Sequence, residues 1–219
     1  MPVHKDHLAA ILKEAESHHA TLVAVSKTKS IGDIREVYDF GHRIFGENYV
    51  QELADKYEQL PKDIEWHFIG HLQSNKVKFI APFVSLIHGV DSLKLLKEID
   101  KEAKKSNRII RCLLQIHIAT EETKFGLSLN EAEELLNSTE FKNFTNVQVE
   151  GLMGMTTLTE DEQQIRNEFR TLKSFIIKLQ TQNSKLQTLS MGMTSDYKIA
   201  LEEGSNMIRI GSAIFGGRN

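Results

Sequence analysis

The chain has 219 residues, of which 40% are hydrophobic, and a formal net charge of −3. This length suits one large domain or two small ones, and the composition is typical of a globular protein with a sizeable core. The weak acidic balance gives no reason to expect nucleic acid or an anionic membrane as a partner. With no signal-peptide segment and no long apolar run, the sequence predicts a cytoplasmic protein.

Apolar segments that predict strands alternate with amphipathic segments that predict helices along the whole chain. An opening helix is expected from about residue 5 to residue 19. Strands are predicted at 21–26, 43–46, 65–69, 84–88, 109–118, 147–153, 186–190 and 206–210. Helices are predicted near 31–41, 49–60, 74–81, 92–106, 130–140, 160–182 and 195–203, the fifth with Asn130 and Glu133 as its cap.

Eight strands that alternate with helices are the pattern of a (β/α)8 TIM barrel, here with an extra N-terminal helix. No linker or low-complexity tract divides the chain, so we predict a single α/β domain over residues 1–219. A flavodoxin-like open sheet is the competing fold, because the segments 43–46 and 206–210 are weak strand signals.

The first and last predicted strands each carry a cation at or near their C-terminal end. The apolar run 22–25 stops at Ser26 and Lys27, and the run that contains Arg209 stops at Gly211. In a closed parallel barrel these ends share one rim, so Lys27 and Arg209 can face one ligand. Burial favours the neutral amine of a lysine, and a neutral amine is what a Schiff base with an aldehyde requires. A lysine just past a strand end, with its ammonium in water, fits the same pattern.

Glycine and serine follow the last two predicted strands, where barrels often hold phosphate. These loops are residues 190–194 and 211–216. Glycine lets backbone N–H groups approach an anion, and a helical turn near Ser212 adds a favourable dipole. Such loops are also common turns, but glycine beside polar residues ends the second, third and sixth strands too. The rim therefore predicts a small molecule that carries a phosphate.

Two other residue types give no further site. The single cysteine, Cys112, lies in an apolar stretch and is expected to be a core residue. The nine histidines show no set of three ligands at zinc spacing, so no metal is predicted.

Six ordered motifs resemble those of a known family. They are AVSKTK (24–29), FGENYVQE (45–52), WHFIGHLQSNK (66–76), GLMGM (151–155), LSMGM (189–193) and IRIGSAIFG (208–216). From about residue 8 to the C-terminus, the chain is similar to the pyridoxal phosphate homeostasis proteins, which are single-domain relatives of the alanine racemase barrel. The resemblance implies the pyridoxal 5′-phosphate fold type III and this vitamin B6 cofactor.

The resemblance also implies roles for individual residues. Lys27 matches the lysine that forms the Schiff base, and Arg209 matches the arginine that faces the pyridine nitrogen. The remaining cofactor-binding residues are Ser190, Gly192, Gly211 and Ser212 in the phosphate loops, and Asn48 and His71 near the ring. The chain departs from the family at His117, where relatives usually carry asparagine. No residue is assigned as catalytic.

Two functions from different classes remain open on the sequence. The favoured one is a cofactor-binding protein that takes part in intracellular pyridoxal phosphate homeostasis, as a monomer, with apo-enzymes as possible recipients. It would influence the balance of amino acids and keto acids. The alternative is a pyridoxal phosphate-dependent amino-acid racemase, which needs a second acid/base on the opposite face of the substrate. All four tyrosines fall on predicted helices, so none is an obvious second base, and a lysine aldolase ranks lower still.

Overall fold

The computed structural model describes residues 3–121 and 125–217, in which eight parallel strands close into a barrel in chain order. The strands are β1 (Thr21–Val25), β2 (Ile44–Glu47), β3 (Glu65–Phe68), β4 (Leu86–Val90), β5 (Ile110–His117), β6 (Val147–Met155), β7 (Thr188–Ser190) and β8 (Met207–Ile210). The predicted (β/α)8 barrel is confirmed, and the open-sheet alternative is wrong. Every predicted strand is present, with its ends displaced by at most two residues.

One helix precedes the barrel and the others follow the strands. The helices are α1 (Lys5–Ser17), α2 (Ile31–Asp39), α3 (Val50–Gln59), α4 (Val77–Ile80), α5 (Leu93–Lys105), α6 (Leu129–Asn137), α7 (Thr139–Lys142), α8 (Glu162–Gln180), α9 (Tyr197–Glu202) and α10 (Ser212–Phe215). A 3₁₀ turn at Ser74–Lys76 leads into α4. In the part of the chain that the structure describes, no helix is both long and apolar enough to span a bilayer.

The barrel closes where β1 pairs with β8. Four residue pairs join them, from Thr21 opposite Met207 to Ala24 opposite Ile210. Because the pairing is parallel, the residues that follow both strands emerge at the same end of the barrel. This register brings the two ends of the sequence together at the C-terminal rim.

The barrel interior has an apolar layer and, further along the strands, a polar one. The apolar layer consists of Val23, Leu86, Leu113, Met153 and Met207, all buried. Inward-facing residues alternate along a strand, so the next inward positions on β4 and β8 are His88 and Arg209. A larger apolar core lies between the strands and the surrounding helices. The interior therefore becomes polar toward the rim where the predicted site lies.

Candidate functional site

A cavity of about 460 Å³ opens at the C-terminal ends of the strands, within the usual size range of small-molecule sites. Its walls come from the ends of β1, β2, β3, β6 and β8 and from the loop that follows β7. The lining residues are Val25, Lys27, Thr28, Lys29, Asn48, Ile69, Met155, Met193, Thr194, Ser195, Arg209, Gly211, Ser212 and Gly216.

Lys27 lies half-buried on this cavity, in a tightly constrained loop. The next residue, Thr28, has φ of 63°, a left-handed conformation that a β-branched residue rarely adopts. The Thr28 N–H donates to Glu52 Oε1 at 2.6 Å, which stabilises the strained backbone. The direction in which Lys27 leaves β1 is therefore set by a carboxylate on α3.

A buried ionic network supports the same loop from beneath. Glu47 Oε1 accepts hydrogen bonds from Ser26 Oγ at 2.6 Å and from Lys56 Nζ at 2.8 Å. Lys56 Nζ also donates to Ser26 O at 2.8 Å and to Glu52 Oε1 at 2.6 Å. Burial raises the pKa of Glu47, and the neighbouring Lys56 acts in the opposite sense. Lys56 thus joins the loop after β1, the end of β2 and the first turn of α3.

Arg209 reaches the cavity from the barrel interior, with only 4% of its surface exposed. Its Nη1 donates to Ser190 Oγ at 2.7 Å, and its Nη2 donates to Gly154 O at 3.1 Å. Burial lowers the pKa of Arg209 to about 10, and the nearby Asp196 carboxylate acts against this shift. The group therefore remains a cation near neutral pH. A guanidinium has five N–H donors, so others remain for a ligand.

The loops after β7 and β8 meet at a further wall of the cavity, beside the end of β1. Ser212 Oγ donates to Thr194 Oγ1 at 3.2 Å, which joins the two loops. Asp196 fixes the first of them, because its carboxylate accepts from the Met193 N–H at 2.6 Å and from the Thr156 hydroxyl at 2.9 Å. Four backbone N–H groups in these loops have no hydrogen-bond acceptor among the described residues: those of Thr194, Ser195, Ser212 and Ala213. These donors suit an anion.

Lys29 holds the chain just beyond this wall. Its Nζ donates to three consecutive carbonyl oxygens, those of Phe215 at 3.1 Å, Gly216 at 3.1 Å and Gly217 at 2.9 Å. The carbonyls at the end of α10 carry partial negative charge, which an ammonium neutralises. Lys29 therefore positions the final loop, whereas Lys27 lies two residues nearer the strand.

Asn48 contributes a polar atom that is buried and unsatisfied. Asn48 Oδ1 has no hydrogen-bond partner among the described residues, although the side chain lines the cavity. Its backbone lies so close to Gly70 that a Cβ on Gly70 would fall 2.4 Å from Asn48 O. Glycine at this position therefore allows the ends of β2 and β3 to approach and places Asn48 at the cavity.

The structure brings together five of the eight cofactor-binding residues predicted from sequence: Lys27, Asn48, Arg209, Gly211 and Ser212 all line the cavity. The other three predicted residues, His71, Ser190 and Gly192, do not line the cavity. Ser190 is fully buried beneath Arg209. Gly192 has φ of 96° and forms the turn after β7, where a Cβ would lie 2.6 Å from that of Ala200.

The two histidines highlighted in the sequence face other surroundings. His71 Nδ1 lies 3.2 Å from Asp91 Oδ2, and its ring stacks on Phe125 with centroids 4.2 Å apart. His117 ends β5 and pairs through Nε2 with Glu121 O at 2.9 Å. Neither lines the cavity. Within residues 3–121 and 125–217, no group of three or more potential ligands could hold a metal ion.

Each tyrosine points its hydroxyl or ring elsewhere, and none lines the cavity. Tyr38 donates to Asp63, and Tyr57 stacks on Phe83. Tyr49 is 55% exposed, on the far side of Asn48. Tyr197 donates to Glu14 Oε2 at 2.9 Å, and burial raises its pKa to about 12.

The sequence did not reveal the residues that hold the site from behind. Lys56 and Glu52 lie on a helix where charged residues are normally solvated, and only their spacing of four hinted at a pair. His88 interrupts an otherwise apolar strand at an inward position, which was an available signal. Ser195 immediately follows the predicted phosphate loop at 190–194 and also lines the cavity.

Comparisons with known proteins show the family of the chain and agree with its fold. The family model described as alanine racemase, N-terminal domain, matches residues 3–219. A pyridoxal phosphate homeostasis protein of Aquifex aeolicus is 42% identical over 201 residues, which cover 91% of this chain and 87% of that protein. The structure of PipY from Synechococcus elongatus without the cofactor has a TM-score of 0.90 at 33% identity, covering 96% of this chain and 99% of PipY. PipY with pyridoxal phosphate bound gives a TM-score of 0.84.

More distant structures share the fold alone. Alanine racemase of Bartonella henselae has a TM-score of 0.69 at 15% identity, and the match covers 96% of this chain but 58% of the racemase. A large part of that enzyme therefore has no counterpart in the matched chain.

Proposed function

Because the chain belongs to the pyridoxal phosphate homeostasis proteins of the alanine racemase N-terminal domain family, we propose that it binds pyridoxal 5′-phosphate and takes part in homeostasis of this cofactor. The cofactor is held as a Schiff base on Lys27. When bound, it supplies an aldehyde that condenses with primary amines. The protein acts by holding and releasing this aldehyde in the cell, and apo-enzymes are its proposed recipients.

The observation that carries the proposal is the placement of three chemically distinct groups around one cavity. A primary amine, Lys27, lies on one wall, and the Arg209 cation lies at the floor. Beside them, the joined loops that contain Thr194 and Ser212 present backbone N–H groups that have no acceptor among the described residues. An aldehyde, a ring nitrogen and a phosphate are the matching groups of the cofactor. The unsatisfied Asn48 Oδ1 adds an acceptor for a polar substituent of the ring.

The roles of the chain's own residues follow from this arrangement. Burial and the cation at Arg209 disfavour a proton on the ring nitrogen, which weakens the ring as an electron sink. The donors at the ends of β7 and β8 hold the phosphate and so bring the aldehyde to Lys27. Glu47 and Lys56 keep the Lys27 loop in place. Together these residues would hold the cofactor at the cavity with its aldehyde at Lys27.

Racemisation requires a second acid/base across the cavity from Lys27. None of the four tyrosines lines this cavity, and Lys29 is engaged with three carbonyl groups. The lining residues thus favour binding over two-base chemistry.

Borohydride trapping tests the attachment point. Purified protein incubated with pyridoxal phosphate and then reduced should carry one pyridoxyl group on the peptide that contains Lys27, measured by mass spectrometry. Lys27→Ala should lose that label. Lys97→Met is the control, because Lys97 pairs with Glu140 on the surface and does not line the cavity, and it should retain the label on Lys27. An undiminished label on another lysine in Lys27→Ala would contradict the assignment.

A solvent-exchange assay separates the two functions. Incubation with L-alanine, L-serine or L-glutamate in deuterated buffer should give no enantiomer exchange at enzyme-like rates. Rapid exchange with any one of them would establish a racemase instead.

A further inference from the structure

Four polar side chains form one continuous hydrogen-bonded chain through the barrel interior. From the cavity inward, Arg209 Nη1 lies 2.7 Å from Ser190 Oγ, and Ser190 Oγ lies 3.1 Å from His88 Nδ1. His88 Nε2 then lies 3.0 Å from His67 Nδ1. All four residues are at least 96% buried, and they come from β8, β7, β4 and β3. Only Arg209 touches the cavity.

The donors and acceptors give this chain a direction. Arginine can only donate, so Ser190 Oγ accepts from Arg209 and must direct its own proton elsewhere. His88 Nδ1 is the acceptor within reach, which places the His88 proton on Nε2 and directs it to His67 Nδ1. One buried group is then left over, His67 Nε2, which has no partner among the described residues. The opposite direction would leave both the Ser190 proton and His67 Nε2 unpaired.

Both histidines remain neutral in this arrangement. Burial lowers the pKa of His67 to about 3 and holds the pKa of His88 well below its usual range. Arg111 and His42 act on His67 in the same sense, as do His67 and Arg209 on His88. The chain therefore holds the guanidinium through neutral acceptors, and among the described residues no carboxylate forms an ion pair with it.

The Ser190 hydroxyl thus already accepts one hydrogen bond from Arg209 and donates one to His88 within the protein. The donors on the phosphate side of the cavity belong to its loops at Thr194 and Ser212, not to Ser190. Ser190 Oγ and Gly154 O together fix the plane of the Arg209 fork, because each accepts from a different nitrogen. Loss of the Ser190 hydroxyl would free one arm of the fork and leave His88 Nδ1 without its partner.

We propose that Ser190 is a positioning residue for Arg209, supported by His88 and His67, and that it acts on the cofactor ring rather than on the phosphate. This inference rests on the proposed function and deepens it. The orientation of the guanidinium sets the electrostatic environment of the ring nitrogen. Ser190, His88 and His67 therefore influence the absorption of the bound cofactor through Arg209, without contacting the cofactor.

The test compares Ser190→Ala with the wild type, using pyridoxal phosphate and pyridoxal, the same aldehyde without the phosphate. Ser190→Ala should shift the visible absorption band of the bound cofactor. It should also lower the affinity for both ligands by a similar factor of about 10, which is the loss expected for one hydrogen bond to a charged group. Competition by inorganic phosphate should remain as in the wild type. His88→Leu, which alters the chain one bond further from the cavity, should shift the band in the same direction.

Ser205→Ala is the matched control. Ser205 is 2% exposed, and its Oγ lies 2.8 Å from Met191 O and 3.1 Å from Leu189 O, next to the same strands. Its loss should lower stability but leave the absorption band unchanged.

Two results would overturn the inference while leaving the proposed function intact. One is a Ser190→Ala protein that loses affinity for pyridoxal phosphate but not for pyridoxal, since Ser190 would then hold the phosphate. The other is a wild type that binds pyridoxal phosphate, together with Ser190→Ala and His88→Leu proteins whose visible band is the same as that of the wild type. A wild type that binds no pyridoxal phosphate would overturn the proposed function and this inference together.

Discussion

Arg209 combines a charge and a shape that no other side chain reproduces. Its two terminal nitrogens reach acceptors on different strands, Ser190 on β7 and Gly154 on β6, while the group still faces the cavity. A lysine has the charge but not the fork, and burial would favour its neutral form. Arg209→Lys should therefore weaken pyridoxal phosphate binding by at least about 10-fold, equivalent to about 1.4 kcal/mol, and shift the visible band. Spectrophotometric titration measures both.

The control for this substitution is Arg111→Lys. Arg111 lies near the start of β5, with 44% of its side chain exposed, and lies within 4.0 Å of Glu65 and Glu150 at the N-terminal end of the barrel, away from the cavity. It should bind the cofactor as the wild type does. Equal behaviour of the two variants would argue against a specific role for Arg209.

For individual residues, the sequence correctly predicted cavity-lining positions where the residue comes just after the end of a strand. Lys27, Asn48, Gly211 and Ser212 immediately follow strands, and parallel strands all end at one rim. Ser190 is the last residue of a strand, so the alternation of side chains directs it into the barrel instead.

At the scale of elements, α3 does more than cover the barrel. It carries Glu52 and Lys56, which contact the loop after β1 and the buried Glu47. Removing Lys56 leaves a buried carboxylate without its cation, and such a loss costs about 3–5 kcal/mol in other proteins. Lys56→Met should lower the free energy of unfolding by about 3 kcal/mol, measured by urea denaturation, and slow the borohydride-trapped labelling of Lys27.

Two further variants check the cause. The double variant Glu47→Gln with Lys56→Met has no unpaired carboxylate at position 47, so it should recover part of the lost stability. Lys97→Met breaks an exposed pair with Glu140 and should cost at most about 1 kcal/mol. If Lys56→Met costs no more than Lys97→Met, the buried network does not stabilise the loop.

Helix starts show where local sequence patterns compete. The predicted cap of the helix near 130 was Asn130 with Glu133, but Ser128 and Glu131 form the capping box two residues earlier. Both pairs have the same spacing, and only the backbone decides between them. At α2, Ser30 forms a capping box with Asp33 and starts the helix that follows the Lys27 loop. Strand positions were easier to predict, because each apolar run had turn residues at both ends.

At the scale of the whole molecule, the interior histidines make stability depend on pH in one direction. An unfolded histidine titrates near pH 6.5, whereas burial lowers the pKa of His67 to about 3. Below about pH 6.5 the unfolded chain therefore binds a proton that the native protein does not. This contribution to stability is complete above that pH and is lost as the pH falls toward about 3. Glu47 acts in the opposite sense, because burial raises its pKa and the native state takes up a proton first.

His67→Asn isolates one of these contributions, because it keeps an acceptor for His88 Nε2 but has no titrating group. Between pH 6.5 and pH 5.5, the wild type should lose about 1 kcal/mol more of its free energy of unfolding than His67→Asn does. Urea unfolding at several pH values measures this difference. Between pH 7.5 and pH 8.5 the two proteins should change in parallel, since the histidine is neutral in both states. Parallel curves over the acidic range as well would mean that His67 is protonated in the native barrel, and the direction assigned to the interior chain would then be wrong.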